Sequence, residues 1–154
     1  MKQENRSPMI HTTAMVLIES SFMRYPVKPN VLVPSVKIAY QSNIEGRVGQ
    51  GFLTLNASGM SKDNDELVFK AVIRYMGVFC EDEEKPNMAI EEFMKVNAPA
   101  QIYPFVREFL ASLSTRSDMP PLILPPINMA ALMEATINGE VKDDSIRVDS
   151  DDIK

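Results

Sequence analysis

With one cysteine, one histidine and no run of basic residues in 154 positions, this sequence closes off several classes of function. Cys80 alone allows no intramolecular disulfide and no Cys-x-x-Cys pair. It reads as a half-buried thiol in a reducing compartment. His11 falls near the polar N-terminus without a placed partner, so neither a nucleophilic triad nor a histidine metal site is supported. The net charge of −5, with no Lys/Arg cluster, argues against a grip on phosphate backbones and so against nucleic acid. That sign suits a basic partner or a positively charged client. No stretch reaches the ~20 apolar residues of a membrane span. The opening MKQENRSPMIHT also lacks the apolar core, about 7–15 residues long, of a signal peptide. A cytoplasmic protein without membrane insertion is expected.

Phosphate and metal chemistry are equally poorly served. Gly49-Gln50-Gly51 has no third glycine and no helix start after it, so it reads as a hairpin turn. The acidic run Glu81-Asp82-Glu83-Glu84 lacks the ligand spacing and turn glycine of a calcium loop, and reads as a solvated turn. No catalytic residue, metal or cofactor is expected, and the chain is not read as an enzyme.

What is present is a globular composition, 45% hydrophobic and 24% charged, enough for one domain with a real core. Residues 1–10 are polar and expected to be flexible, 11–138 form the domain, and 139–154 make an acidic tail expected to lack structure. Strand character appears over 14–25, 36–40, 51–60 and 67–80, with turns at 46–51 and 61–66. In the last of these strands, Leu67, Phe69, Ala71, Ile73, Tyr75 and Phe79 share one face. The period then lengthens. A short helix is expected over 88–96, a long one over 97–117 capped by Asn97, and another over 128–139 between Asn128 and Gly139. The fold class is α+β: a four-stranded antiparallel meander with two C-terminal helices on one side.

Between the last two helices lies SDMPPLILPPINMAALM, residues 117–133. It is too apolar for an ordinary loop and too rich in proline for a helix. Proline lowers the entropy lost on ordering, so such a segment can stay extended and present apolar side chains. The plain alternative is a loop packed down over the sheet. The 11 methionines point the same way, since flexible thioethers recur on surfaces that accept varied partners, although ordinary core filling accounts for many of them.

Residues 98–132 resemble the SecB protein-export chaperones. The resemblance is carried by Pro99, Tyr103-Pro104-Phe105, Arg107, Thr115-Arg116, Pro120-Pro121-Leu122 and Pro126-Ile127-Asn128, with weaker similarity at Ser21-Phe22. It implies an ATP-independent holdase that binds unfolded client polypeptides for export, built as a homotetramer, a dimer of dimers. It implies a client groove drawn from Met119, Leu122, Ile123, Leu124, Ile127, Met129 and Leu132. It implies an oligomer interface on the long helix through Ile102, Tyr103, Phe105, Val106, Phe109, Leu110 and Leu113. The SecA ATPase is an implied partner, with Glu19 where one family acid usually lies, but Met23 stands where another is common. Ser117-Asp118 replace an expected glycine pair, Pro125 an alanine and Met129 an aromatic. These departures keep open a relative dedicated to a single client, such as an antitoxin or a phage or plasmid protein.

Overall fold

The computed structural model describes residues 10–82 and 88–128 and, for its backbone, 145–148. The elements are β1 (Ile10–Arg24), β2 (Leu32–Glu45), β3 (Val48–Ser61), β4 (Leu67–Glu81), α1 (Ile90–Arg116) and β5 (Ser145–Val148). All strand pairs are antiparallel, in the order β1-β4-β3-β2-β5. Strands β2 to β4 form the expected meander. β1 departs from it and lies beside β4 rather than β2. The segment 25–31, with Pro26 and Pro29, carries the chain across the sheet, and Phe22 stacks on Phe69 at 5.4 Å to dock β1 on its new neighbour.

Alternation along the strands decides which face is buried. Val36, Ile38, Leu53, Leu55, Phe69, Ala71, Ile73 and Phe79 turn to one side, where α1 covers them with Phe93, Met94, Ile102, Val106 and Leu110. At one end of this layer the rings of Phe79 and Phe93 meet edge to face, 5.2 Å apart. Tyr40, on β2, donates to the Met94 carbonyl at 2.5 Å, and burial raises its phenol well above the ordinary range.

The turn expected over 46–51 is tighter than its three glycines suggest. Only Gly46, with φ 58°, and Arg47 form it, a two-residue hairpin turn that needs positive φ. Gly49 lies inside β3 because the helix comes so close. A Cβ there would stand 2.4 Å from the Met94 sulfur.

Three other expectations change, and a fourth is untested. The stretches 88–96 and 97–117 are one helix of 27 residues, with Ala89 at its N-cap and Asn97, Pro99 and Pro104 in its interior. Burial of Ile90, Phe93 and Met94 against the sheet extends the helix backwards past Asn97, overriding the local start signal. The helix expected over 128–139 lies outside the described residues but for its cap, Asn128. His11 belongs to β1, which begins at Ile10, and its Nε2 lies 2.6 Å from Asp82 Oδ2 beyond the end of β4. Within the tail expected to lack structure, Ser145–Val148 form a strand on β2.

Candidate functional site

The proline-rich crossover begins where α1 stops. Asp118, at φ 56°, takes the left-handed conformation that ends the helix, at a position where the sequence resemblance expects glycine. Asp tolerates that region better than most residues do. The Ser114 carbonyl then accepts from both Ser117 N (3.1 Å) and Met119 N (3.2 Å). Ser114 itself is fully buried. Its hydroxyl donates to the Ala111 carbonyl (2.9 Å) and accepts from Leu122 N (2.8 Å).

An extended segment crossing a protein must have its polar backbone satisfied. Here Pro120, Pro121, Pro125 and Pro126 carry no N–H to satisfy. Two helix side chains collect carbonyls: Arg107 Nε donates to Leu124 O (2.5 Å) and Tyr103 Oη to Pro125 O (2.7 Å). Burial pushes the Tyr103 phenol up to about 12, partly opposed by Arg107, so it remains a donor at ordinary pH. The segment is thereby fixed along α1.

Fixed in this way, its side chains divide. Leu124 is 0% exposed and belongs to the core, whereas Ile123 next to it is 45% exposed and points outward. Met119 and Leu122 are nearly buried, and they line a cavity of about 700 Å³. Its other wall is the stretch from Lys28 to Pro34, with Val31, Leu32 and Val33 as apolar lining, and Val68 also borders it. Val31 and Val33 remain 49% and 39% exposed. Arg24, Lys28 and Lys62, against Asp118, leave a positive balance around an apolar trough. Arg24 Nη1 donates to the Tyr25, Val27 (2.9 Å) and Val68 (3.2 Å) carbonyls and so pins the base of this wall.

Of the residues assigned to the groove by resemblance, the cavity thus holds Met119 and Leu122. Leu124 is withdrawn into the core, Ile123 faces away from the cavity, and Ile127 is half-buried against the core. Met129 and Leu132 lie outside the described residues. The helix residues divide similarly. Ile102, Tyr103, Val106 and Leu110 spend their surface inside the protomer and are not free for a subunit interface. Phe105, at 44% exposure, and the half-buried Phe109 and Leu113 remain accessible, with Phe105 and Phe109 6.0 and 6.2 Å from the Tyr75 ring. Glu19 is exposed on β1, opposite Arg74 in register, and Met23 is 56% exposed.

Sequence reasoning missed three contributors. The 28–34 wall carried a signal, since Pro26, Pro29 and Pro34 mark it as a second extended apolar segment. Arg24 and Ser114 carried none, because their roles come from carbonyls and amides that only the fold brings to them.

An antiparallel sheet backed by one long helix, with a proline-rich crossover walling an apolar trough, is the SecB-like α+β arrangement. The family model described as "Preprotein translocase subunit SecB" matches residues 4–140, and the chain belongs to the SecB family. Among relatives, the chain is 32% identical over 125 residues to the protein-export protein SecB of Anaplasma phagocytophilum, covering 77% of this chain and 70% of that one. The SecB of Nitrobacter hamburgensis is 28% identical over 140 residues, 87% of each chain. The match to Anaplasma marginale SecB is 31% over 72 residues, 47% of this chain and 41% of that protein. The fold is similar to a SecB-like chaperone of Mycobacterium tuberculosis solved in complex with a ChAD peptide from the HigA1 antitoxin. There the TM-score is 0.67 at 13% identity, covering 77% of this chain and 91% of that one. Among the described residues, no helix is long and apolar enough to cross a membrane.

Proposed function

We propose that this protein is an ATP-independent holdase that keeps non-native polypeptides extended and unaggregated in the trough between residues 28–34 and 118–122, in the service of protein export. The observation that carries the reading is the pair of opposed apolar walls, each stiffened by proline and tied down by its own hydrogen bonds. A preordered trough binds without paying to organise itself, so more of each contact's free energy appears as affinity. One fully buried client side chain contributes roughly 1.5–3 kcal/mol before ordering costs. Selectivity then follows apolar character rather than sequence, and the cationic groups beside the trough disfavour basic segments.

The reading includes assembly into a homotetramer through the outer side of α1, where Phe105, Phe109 and Leu113 remain accessible. Several troughs on one particle add weak contacts through effective concentration. A slowly refolding client, diluted from denaturant with stoichiometric tetramer and no nucleotide, should stay clear by light scattering. Unchanged aggregation would sink the reading.

A second reading, a chaperone dedicated to one client, has its own support. Met23 replaces a commonly acidic residue of the SecA-docking region, and the similar mycobacterial chaperone was solved with an antitoxin peptide. Capture of one dominant polypeptide rather than a spread of precursors would favour it.

A further inference from the structure

We propose that the face of the sheet turned away from α1 docks an acidic, extended segment of a partner protein, held by Lys37, Lys70 and Arg74. The core takes one face of β2, β3 and β4, so the intervening residues form a plate on the other. Register fixes its layout. Lys70 and Arg74 lie four residues apart on β4, about 13 Å along the strand. Lys37 on β2 aligns through Asn56 with Val72, midway between them and two strands away, about 10 Å across. The three cations thus mark a triangle with sides of about 12–13 Å. Ser35, Asn56 and Ser58 stand with Lys37 and Lys70 around one shallow depression. Gln41, Phe52 and Thr54 join Arg74 around a second, of about 240 Å³.

The whole chain carries −5, yet this plate has the opposite sign. From the row of Met23 and Lys70 to that of Val16 and Met76, Glu19 is its one acid among the described residues. Glu19 stands opposite Arg74 in register without forming an ion pair with it. Lys37 and Lys70 are exposed and have no acidic partner among the described residues. Arg74 is held more tightly. Its guanidinium lies over the Phe52 ring, 4.8 Å from the centroid, and its Nε is buried without a hydrogen-bond partner. A buried donor left unmade is costly. A carboxylate seated in the depression beside it supplies the missing acceptor, in the planar, paired geometry that arginine favours. The spacing selects an extended chain. In a strand, residues i and i+4 point the same way about 13 Å apart, so acids so placed meet Lys70 and Arg74 together. On a helix the same pair lies only about 6 Å apart and reaches one cation. Nucleic acid fits less well, because three cations on an acidic protein make no continuous stripe for a phosphate backbone.

The test measures, by fluorescence anisotropy, the binding of two labelled peptides to the full-length protein. One carries Glu at every fourth position among Ser and Thr, and the other carries Lys at the same positions. The acidic peptide should bind and the lysine peptide should not, with the affinity falling as salt rises. Lys37→Glu/Lys70→Glu, at two exposed positions, should weaken binding about tenfold or more. Arg74→Lys keeps the charge but loses the planar fork, and should weaken it about threefold. Lys28→Glu/Lys62→Glu, at the trough, should leave it unchanged. Loss confined to that last variant would put the peptide in the trough and overturn the proposal. Failure of the parent to bind the acidic peptide would also overturn it, as would equal binding by Lys37→Glu/Lys70→Glu. Competition by a single-stranded oligonucleotide as effective as the acidic peptide itself would overturn the choice of a polypeptide partner. Unfolded client should bind the parent and the Lys37→Glu/Lys70→Glu protein alike, so this proposal and the trough reading fail separately.

Discussion

Replacing Val31 and Val33 together by aspartate should cripple client binding and leave the fold standing. Both side chains line the trough opposite Met119 and Leu122, and both are already partly in water, at 49% and 39% exposure. Their substitution therefore costs the protomer little, on the order of 1 kcal/mol in all. The client loses more. Full burial of a valine contributes about 1.5 kcal/mol at the lower end of the range. About half remains to be gained at each position, so together they supply about 1.5 kcal/mol of binding. Desolvating two carboxylates against an apolar segment adds roughly 1–3 kcal/mol each before compensation. Arg24, Lys28 and Lys62 beside the trough offset much of that. A net loss of about 2–3 kcal/mol weakens binding about 30- to 150-fold. Fluorescence anisotropy with a labelled unfolded polypeptide reads the affinity, and urea denaturation with light scattering verifies stability and assembly. Binding within threefold of the parent, by a variant that is folded and assembled, would refute the assignment of this wall. Leu122 and Leu124 look like the natural targets from sequence alone. With Leu122 7% exposed and Leu124 0%, an aspartate at either would unfold the crossover rather than report on the client.

Other consequences follow from the same geometry. Ser114→Ala strands the buried Leu122 N–H and should lower stability by about 1–3 kcal/mol in urea unfolding, whereas alanine at the exposed Thr115 should change little. Phe105→Glu, on the accessible side of α1, should shift the proposed tetramer to smaller species in sedimentation; an unchanged oligomer would move the interface elsewhere. At alkaline pH the sign is fixed by Tyr103, whose phenol is pushed up to about 12 against about 10 when unfolded. The folded state then holds its proton more tightly. The stability this contributes is complete below pH ~10 and lost as pH rises through about 12. Tyr103→Phe should flatten that part of the unfolding profile.

The parts of this account legible in the sequence are those with a period. Phe69, Ala71, Ile73 and Phe79 alternate because one face of β4 is buried, and no knowledge of neighbours is needed to see it. Strand order carries no such mark: β1 joins β4 because Phe22 finds Phe69 across the sheet. The sequence pattern splits α1 in two at Asn97, because a cap residue followed by proline looks like a start. The burial of Ile90, Phe93 and Met94 that overrides it is a tertiary fact. In the crossover, resemblance located the segment, yet nothing in Leu122-Ile123-Leu124 says which residue faces inward. Hydrogen bonds from Leu122 N to Ser114 and from Arg107 to Leu124 O fix that phase. The strand β5 spans only four residues within an acidic tail, too few for any pattern to emerge.

The central claim is that an unfolded polypeptide lies between residues 28–34 and 118–122. Amide hydrogen exchange of the protein, with and without saturating unfolded client, tests it most directly. The account predicts slowed exchange at the non-proline amides of both walls, Lys28 to Val33 and Asp118 to Leu122, with the outer side of α1 unchanged. Slowed exchange confined to α1 or to β1, with both walls exchanging as in the free protein, would contradict it.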